Sequence, residues 1–109
     1  MQAFSLKNQV ALITGASKGI GFSIAEFFAE AGAKVVISSR DQAVLDQLAQ
    51  ELRDKGYEAT GIACHVGKMD QLAHLVSETI ATYGQLDILV NNAATNPTFG
   101  PIHDTTLDA

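Results

Sequence analysis

A chain of 109 residues, 47% hydrophobic and 17% charged, has room for one domain with a core and is too apolar for a disordered segment. A net charge of −5 argues against nucleic acid or an acidic membrane as partner, since both need a basic face. The single cysteine, Cys64, leaves no internal disulfide and reads as a small buried residue in a reducing compartment.

The first element is VALIT, Val10 to Thr14, a continuous apolar run of the kind a strand shows when both its faces are covered. From Ile20 onward Ile20, Ile24, Phe27, Phe28 and Ala31 recur at three- and four-residue steps, which predicts a helix with that stripe buried and Gly32 as its stop. KVVIS, Lys34 to Ser38, is a second strand. Asp41 stands where it can cap a second helix, striped by Val44, Leu45, Leu48 and Leu52 and stopped at Gly56. Ala59 to Cys64 is a weaker third strand. Met69, Leu72, Val76, Ile80 and Tyr83 stripe a third helix ending at Gly84, and DILVNNA, Asp87 to Ala93, is the fourth strand. Beyond it the pattern dissolves into a stretch rich in Pro, Gly, Thr and Asn.

Strands alternating with helices over short connections predict an α/β fold, a parallel sheet with helices on both faces in one domain. Right-handed crossovers and a strand order of 3-2-1-4 place the first two helices on one face and the third on the other. No apolar run approaches the roughly 20 residues that cross a bilayer, and no secretory leader is evident at MQAFSLKNQ, so the expected location is cytoplasmic. His65, His74 and His103 form no close pair, and a zinc site is not expected.

Between the first strand and the first helix lies TGASKGIG, with glycines at Gly15, Gly19 and Gly21. Backbone N–H groups at a helix N-terminus lack internal partners and carry partial positive charge, so an anion fits there if no side chain blocks it. Gly15 suits a sharp exit from the strand, Gly19 close approach to a pyrophosphate and Gly21 tight helix packing. The spacing is not that of a P-loop, because no Gly-Lys-Ser/Thr opens the helix.

The pattern Thr14-Gly15-x-x-x-Gly19-x-Gly21, with NNAA at Asn91 to Ala94, resembles the short-chain dehydrogenase/reductase family over the whole chain in order. The resemblance implies a Rossmann sheet, NAD or NADP as cofactor, and hydride transfer between a carbonyl and an alcohol in a homo-oligomeric enzyme. It implies cofactor contacts at Gly15, Ser17, Lys18, Gly19, Ile20 and Gly21, at Ser39 and Arg40, at His65 and Val66, and at Asn92 and Ala93, with Asn91 bracing the central strands.

An NAD-binding unit needs a carboxylate at the end of the second strand, whereas a 2′-phosphate needs a base. In the family register that position is Ser39, followed by Arg40, and Lys18 in the glycine loop is a second cation, so NADP is expected ahead of NAD. Asp41 also lies near the ribose position, but its place before a helical stripe reads as an N-cap. His65 stands where relatives usually carry the Asp that contacts adenine, and it reads equally as a strand-end residue. NPTFGPI resembles the loops of carbonyl and 3-oxoacyl reductases.

The family's catalytic Ser and Tyr-x-x-x-Lys are not found. Tyr57 and Tyr83 lack a lysine four residues on, and Ser17, Ser38, Ser39 and Ser77 have no histidine base beside them. The expectation is the N-terminal, cofactor-binding part of a longer reductase cut after the fourth strand, inactive and marginally stable alone. A non-catalytic nucleotide-binding module and a non-functional remnant are the alternatives.

Overall fold

All five residues of Val10–Thr14 are buried, and this strand (β1) lies inside a four-stranded sheet. The computed structural model describes residues 5–17, 19–64 and 69–92. In chain order β1 is followed by α1 (Gly19–Glu30), β2 (Lys34–Ser38), α2 (Gln42–Asp54), β3 (Ala59–Gly61), α3 (Met69–Tyr83) and β4 (Ile88–Asn91). The sheet order is β3-β2-β1-β4 and every pairing is parallel. Thr14 aligns with Ser38 on one side and with Asn91 on the other, so β1, β2 and β4 end at one level.

Successive side chains of a strand point to opposite faces, and this period divides the core in two. Ala11, Ile13, Val35, Ile37 and Val90 pack with Ala25 and Ala29 of α1 and with Leu45, Ala49 and Leu52 of α2. Leu12, Val36 and Leu89 pack on the other face against Leu72 and Leu75 of α3. The right-handed arrangement read from the sequence is therefore the one observed. Asp41 caps α2 as expected, its carboxylate accepting from the N–H groups of Ala43 and Val44. Across that layer Lys55 pairs with Glu26 of α1, and this hydrogen bond and attraction raise the Lys55 pKa above its ordinary 10.5.

Two helix stripes differ from expectation. In α1 the buried residues are Gly21, Ala25 and Ala29, while Ile20 and Phe27 are 71% and 54% exposed. Small residues let the helix axis approach the sheet closely, which turns the larger ones to the flank. In α3 the buried line runs through Leu72, Leu75 and Thr79, and Ile80 is exposed. The Thr79 hydroxyl is satisfied by donating to the Leu75 carbonyl one turn back, which makes a threonine admissible in an apolar line. The third and fourth strands are also shorter than expected, Ala59–Gly61 and Ile88–Asn91. Asp87 lies just before β4, and its carboxylate accepts from the Val10 N–H at 2.8 Å.

Candidate functional site

The level ends of β2, β1 and β4 bring Ser39, Gly15 and Asn92 to the same edge of the sheet. Between β1 and β4 the chain departs to opposite faces, α1 to one and α3 to the other, which is the switch point where open α/β sheets bind ligands. The glycine turn occupies that point. Gly15 and Gly19 have φ of 63° and 59°, in the left-handed region where a side chain is strained.

One peptide of the turn is held from both sides. The Gly15 carbonyl accepts from the Asn92 side-chain amide at 3.3 Å, and the Ala16 N–H donates to the Ser38 carbonyl at 3.0 Å. Beside it the Thr14 hydroxyl donates to Asn91 Oδ1 at 3.0 Å, which joins the ends of β1 and β4 through side chains. Gly21 closes the junction: a Cβ there would lie 2.2 Å from the Gly15 carbonyl oxygen and 2.8 Å from Asn92 Nδ2. The first turn of α1 thus rests directly on the glycine turn. The N–H groups of that first turn have no partners within the helix, whereas the Ala16 N–H is already engaged.

At the end of β2, Ser38 is fully buried and donates its hydroxyl to the Ile62 carbonyl at 2.6 Å, a structural use of that serine. The Ser39 hydroxyl accepts from the Asp41 N–H at 3.4 Å. Arg40 is exposed at the same turn. Asp41, which directly follows Arg40, caps α2 through its Oδ1.

The two tyrosines lie elsewhere. Tyr83 ends α3, its hydroxyl 2.9 Å from Thr60 Oγ1 and its ring beneath the Lys34 ammonium, toward the opposite end of the sheet from the glycine turn. Tyr57 precedes β3 at that same far end and packs on the core of the α1–α2 face. Cys64, half-buried, donates its thiol to the Gln71 carbonyl at 3.2 Å. Among the described residues no three His, Cys, Asp or Glu side chains gather as a metal site, and no helix is long and apolar enough to cross a membrane.

Of the expected cofactor contacts, Gly15, Ser17, Gly19, Ile20, Gly21, Ser39, Arg40 and Asn92 are described, and they gather at the carboxyl ends of β1, β2 and β4. Lys18, His65, Val66 and Ala93 lie outside the described residues. Ile20 stands apart in surroundings: it borders an apolar hollow of about 620 Å³ along the outer flank of α1, with Ile24, Phe27 and Phe28. Sequence reasoning missed Gln42, whose carboxamide reaches β3, and the bond from Asn92 to Gly15. A polar residue opening an amphipathic helix was the available signal for the first.

Comparison with known proteins agrees with this geometry. The family model for short chain dehydrogenases matches residues 9–109. The chain belongs to the short-chain dehydrogenase family. It is 48% identical over 101 residues to human dehydrogenase/reductase SDR family member 4, covering 93% of this chain and 36% of that protein. Two solved structures show the same architecture. L-sorbose reductase from Gluconobacter frateurii, complexed with NADPH and L-sorbose, matches at a TM-score of 0.79 and 38% identity over 84% of this chain and 35% of that one. 2-Keto-3-deoxy-D-gluconate dehydrogenase from Streptococcus agalactiae matches at 0.76 and 44%, over 85% and 35%. This short-chain dehydrogenase sequence therefore spans about a third of the length of the relatives it matches. The family is one of oxidoreductases on a Rossmann fold that use a nicotinamide dinucleotide.

Proposed function

We propose that this chain is the NADP(H)-binding portion of a short-chain oxidoreductase that moves hydride between the nicotinamide and a carbonyl or alcohol, with the proton-transfer Ser and Tyr-x-x-x-Lys supplied from outside these residues. The pyrophosphate would sit over the N-terminus of α1, held by N–H groups downstream of Ala16, where Gly19 leaves open space: a Cβ there would meet nothing within 4 Å. The ribose carrying the 2′-phosphate would lie against Ser39 and Arg40. Lys18 would be a second cation for that phosphate, and His65 and Val66 would border the adenine. Asn92 and Ala93 would lie along the second ribose. The dinucleotide, when bound, supplies the hydride.

The observation that carries the choice of NADP is the engagement of Asp41. A ribose 2′-OH calls for a carboxylate at the end of β2, and Asp41, the acid that follows Ser39 and Arg40, is used through its Oδ1 as the cap of α2. At the turn after β2 stand instead Ser39 and the exposed Arg40, and a planar guanidinium suits a phosphate. The G. frateurii reductase, crystallised with NADPH, supports the same direction. Parallel titrations with NADPH and NADH, read by the fluorescence of the reduced nicotinamide, test it. Tighter binding of NADPH is expected, narrowed in an Arg40→Ala variant; equal binding of the two would refute the choice.

A further inference from the structure

Gln42, the first residue of α2, turns both ends of its carboxamide onto the exit of β3. Its Nε2 donates to the Gly61 carbonyl at 2.8 Å and to Asp46 Oδ1 at 2.7 Å, while its Oε1 accepts from the Ala63 N–H at 2.8 Å. The pattern follows from the sheet. The Ile62 N–H donates inward to the Ile37 carbonyl, and the Ile62 carbonyl accepts from Ser38 Oγ. The groups of Gly61 and Ala63 then point outward, and one side chain offers them the donor and the acceptor that another strand would.

The helix can reach so far because Gly61 has no side chain: a Cβ there would lie 2.8 Å from Leu45 Cβ. Behind Gln42 the turn of Ser39 to Asp41 is bound to the same place, since the Cys64 N–H donates to the Ser39 carbonyl at 2.7 Å. The loops that leave β2 and β3 are thereby joined at two points.

We propose that Gln42 is a positioning residue of the nucleotide site: it fixes the distance between the Ser39–Arg40 turn and the exit of β3, and so the width of the space that takes the adenosine 2′-phosphate end of the cofactor. This rests on the NADP(H) reading above. A Gln42→Met variant of the full chain keeps the length and apolar stem of the side chain and loses both ends of the bridge. Adenosine 2′,5′-bisphosphate and inorganic pyrophosphate serve as probes of the two halves of the site, read by calorimetry.

The expected result is bisphosphate binding weaker on the order of tenfold, pyrophosphate binding unchanged, and faster hydrogen exchange at the Ala63 amide. A Gln42→Glu variant retains the acceptor for Ala63 but sets a carboxylate oxygen against the Gly61 carbonyl and Asp46 Oδ1, so its bisphosphate binding falls at least as far; a Gln42→Leu variant, equally unable to bridge, serves if the methionine variant does not fold. Equal bisphosphate binding by the unsubstituted and substituted chains overturns the role of Gln42 alone, as does an equal loss for both probes. No bisphosphate binding by the unsubstituted chain overturns the cofactor reading, and this role with it.

Discussion

The two ends of the sheet are built from the same kinds of residue and put them to different use. At the amino end, backbone groups are closed off. Asp87 exchanges bonds with Val10, accepting from its N–H through Oδ2 and donating its own N–H to the Val10 carbonyl, and Gln85 bridges Asp87 to the Asn8 carbonyl. At the carboxyl end, Asn91 and Asn92 tie β4 to Thr14 and to the glycine turn, and Gln42 ties the start of α2 to the exit of β3, so that polar side chains join the turns that leave the strands. Polar side chains at the first end close the entry to the strands, and at the second they fasten the turns that leave them. That difference, and not the composition of either end, sets the candidate site apart.

The sharpest test of the contrast is Gly21→Ala at the carboxyl end. Its methyl would lie 2.2 Å from a backbone oxygen that is itself held by Asn92, so turn and helix must separate. Chemical denaturation is expected to show a loss of about 3 kcal/mol together with loss of NADPH binding. Asp87→Ala at the amino end leaves the part-buried Val10 N–H without its acceptor and costs about 2 kcal/mol, with nucleotide affinity unchanged in whatever fraction stays folded. Similar effects of the two substitutions on binding would erase the distinction between the ends.

Asp41→Ala sharpens the comparison within the site, since it removes the α2 cap and costs about 1 kcal/mol in the same denaturation assay. If Asp41 is a cap and not a ribose ligand, NADH binding falls no more than NADPH binding. The smallest effect belongs to Lys55→Met, at the C-terminus of α2, because the Lys55–Glu26 pair is solvent-exposed. The Lys55 pKa is raised above 10.5, so the pair contributes its full, slight stabilisation below that pH and loses it as pH rises through the raised value. Thermal midpoints of the two proteins should converge only above that point.

The fold was legible because apolar strand runs and helical stripes alternate along the chain, and because Asp41, Gly32, Gly56 and Gly84 mark the helix ends by local chemistry. The face of α1 was misread for a physical reason. Periodicity weighs apolar bulk, and in this helix the bulk of Ile20 and Phe27 lies outside while Gly21, Ala25 and Ala29 make the contact. The glycine turn and the turn of Ser39 and Arg40 could be placed from sequence, since each follows a strand. The partners of Gln42, Asn92 and Asp87 could not. A carboxamide or carboxylate meets whatever the strand register sets before it, and Asn92 and Gly15 are 77 residues apart in the chain.

The doubly held peptide between Gly15 and Ala16 has an energetic consequence for any anion that arrives. Fixing a residue in one backbone conformation costs roughly 1–2 kcal/mol, a cost met either during folding or at the moment of binding. Here Asn92 and the Ser38 carbonyl immobilise that peptide before a ligand is present. The ordering cost at the base of the turn is met during folding, and the affinity of the phosphate contact proposed there would be spared it.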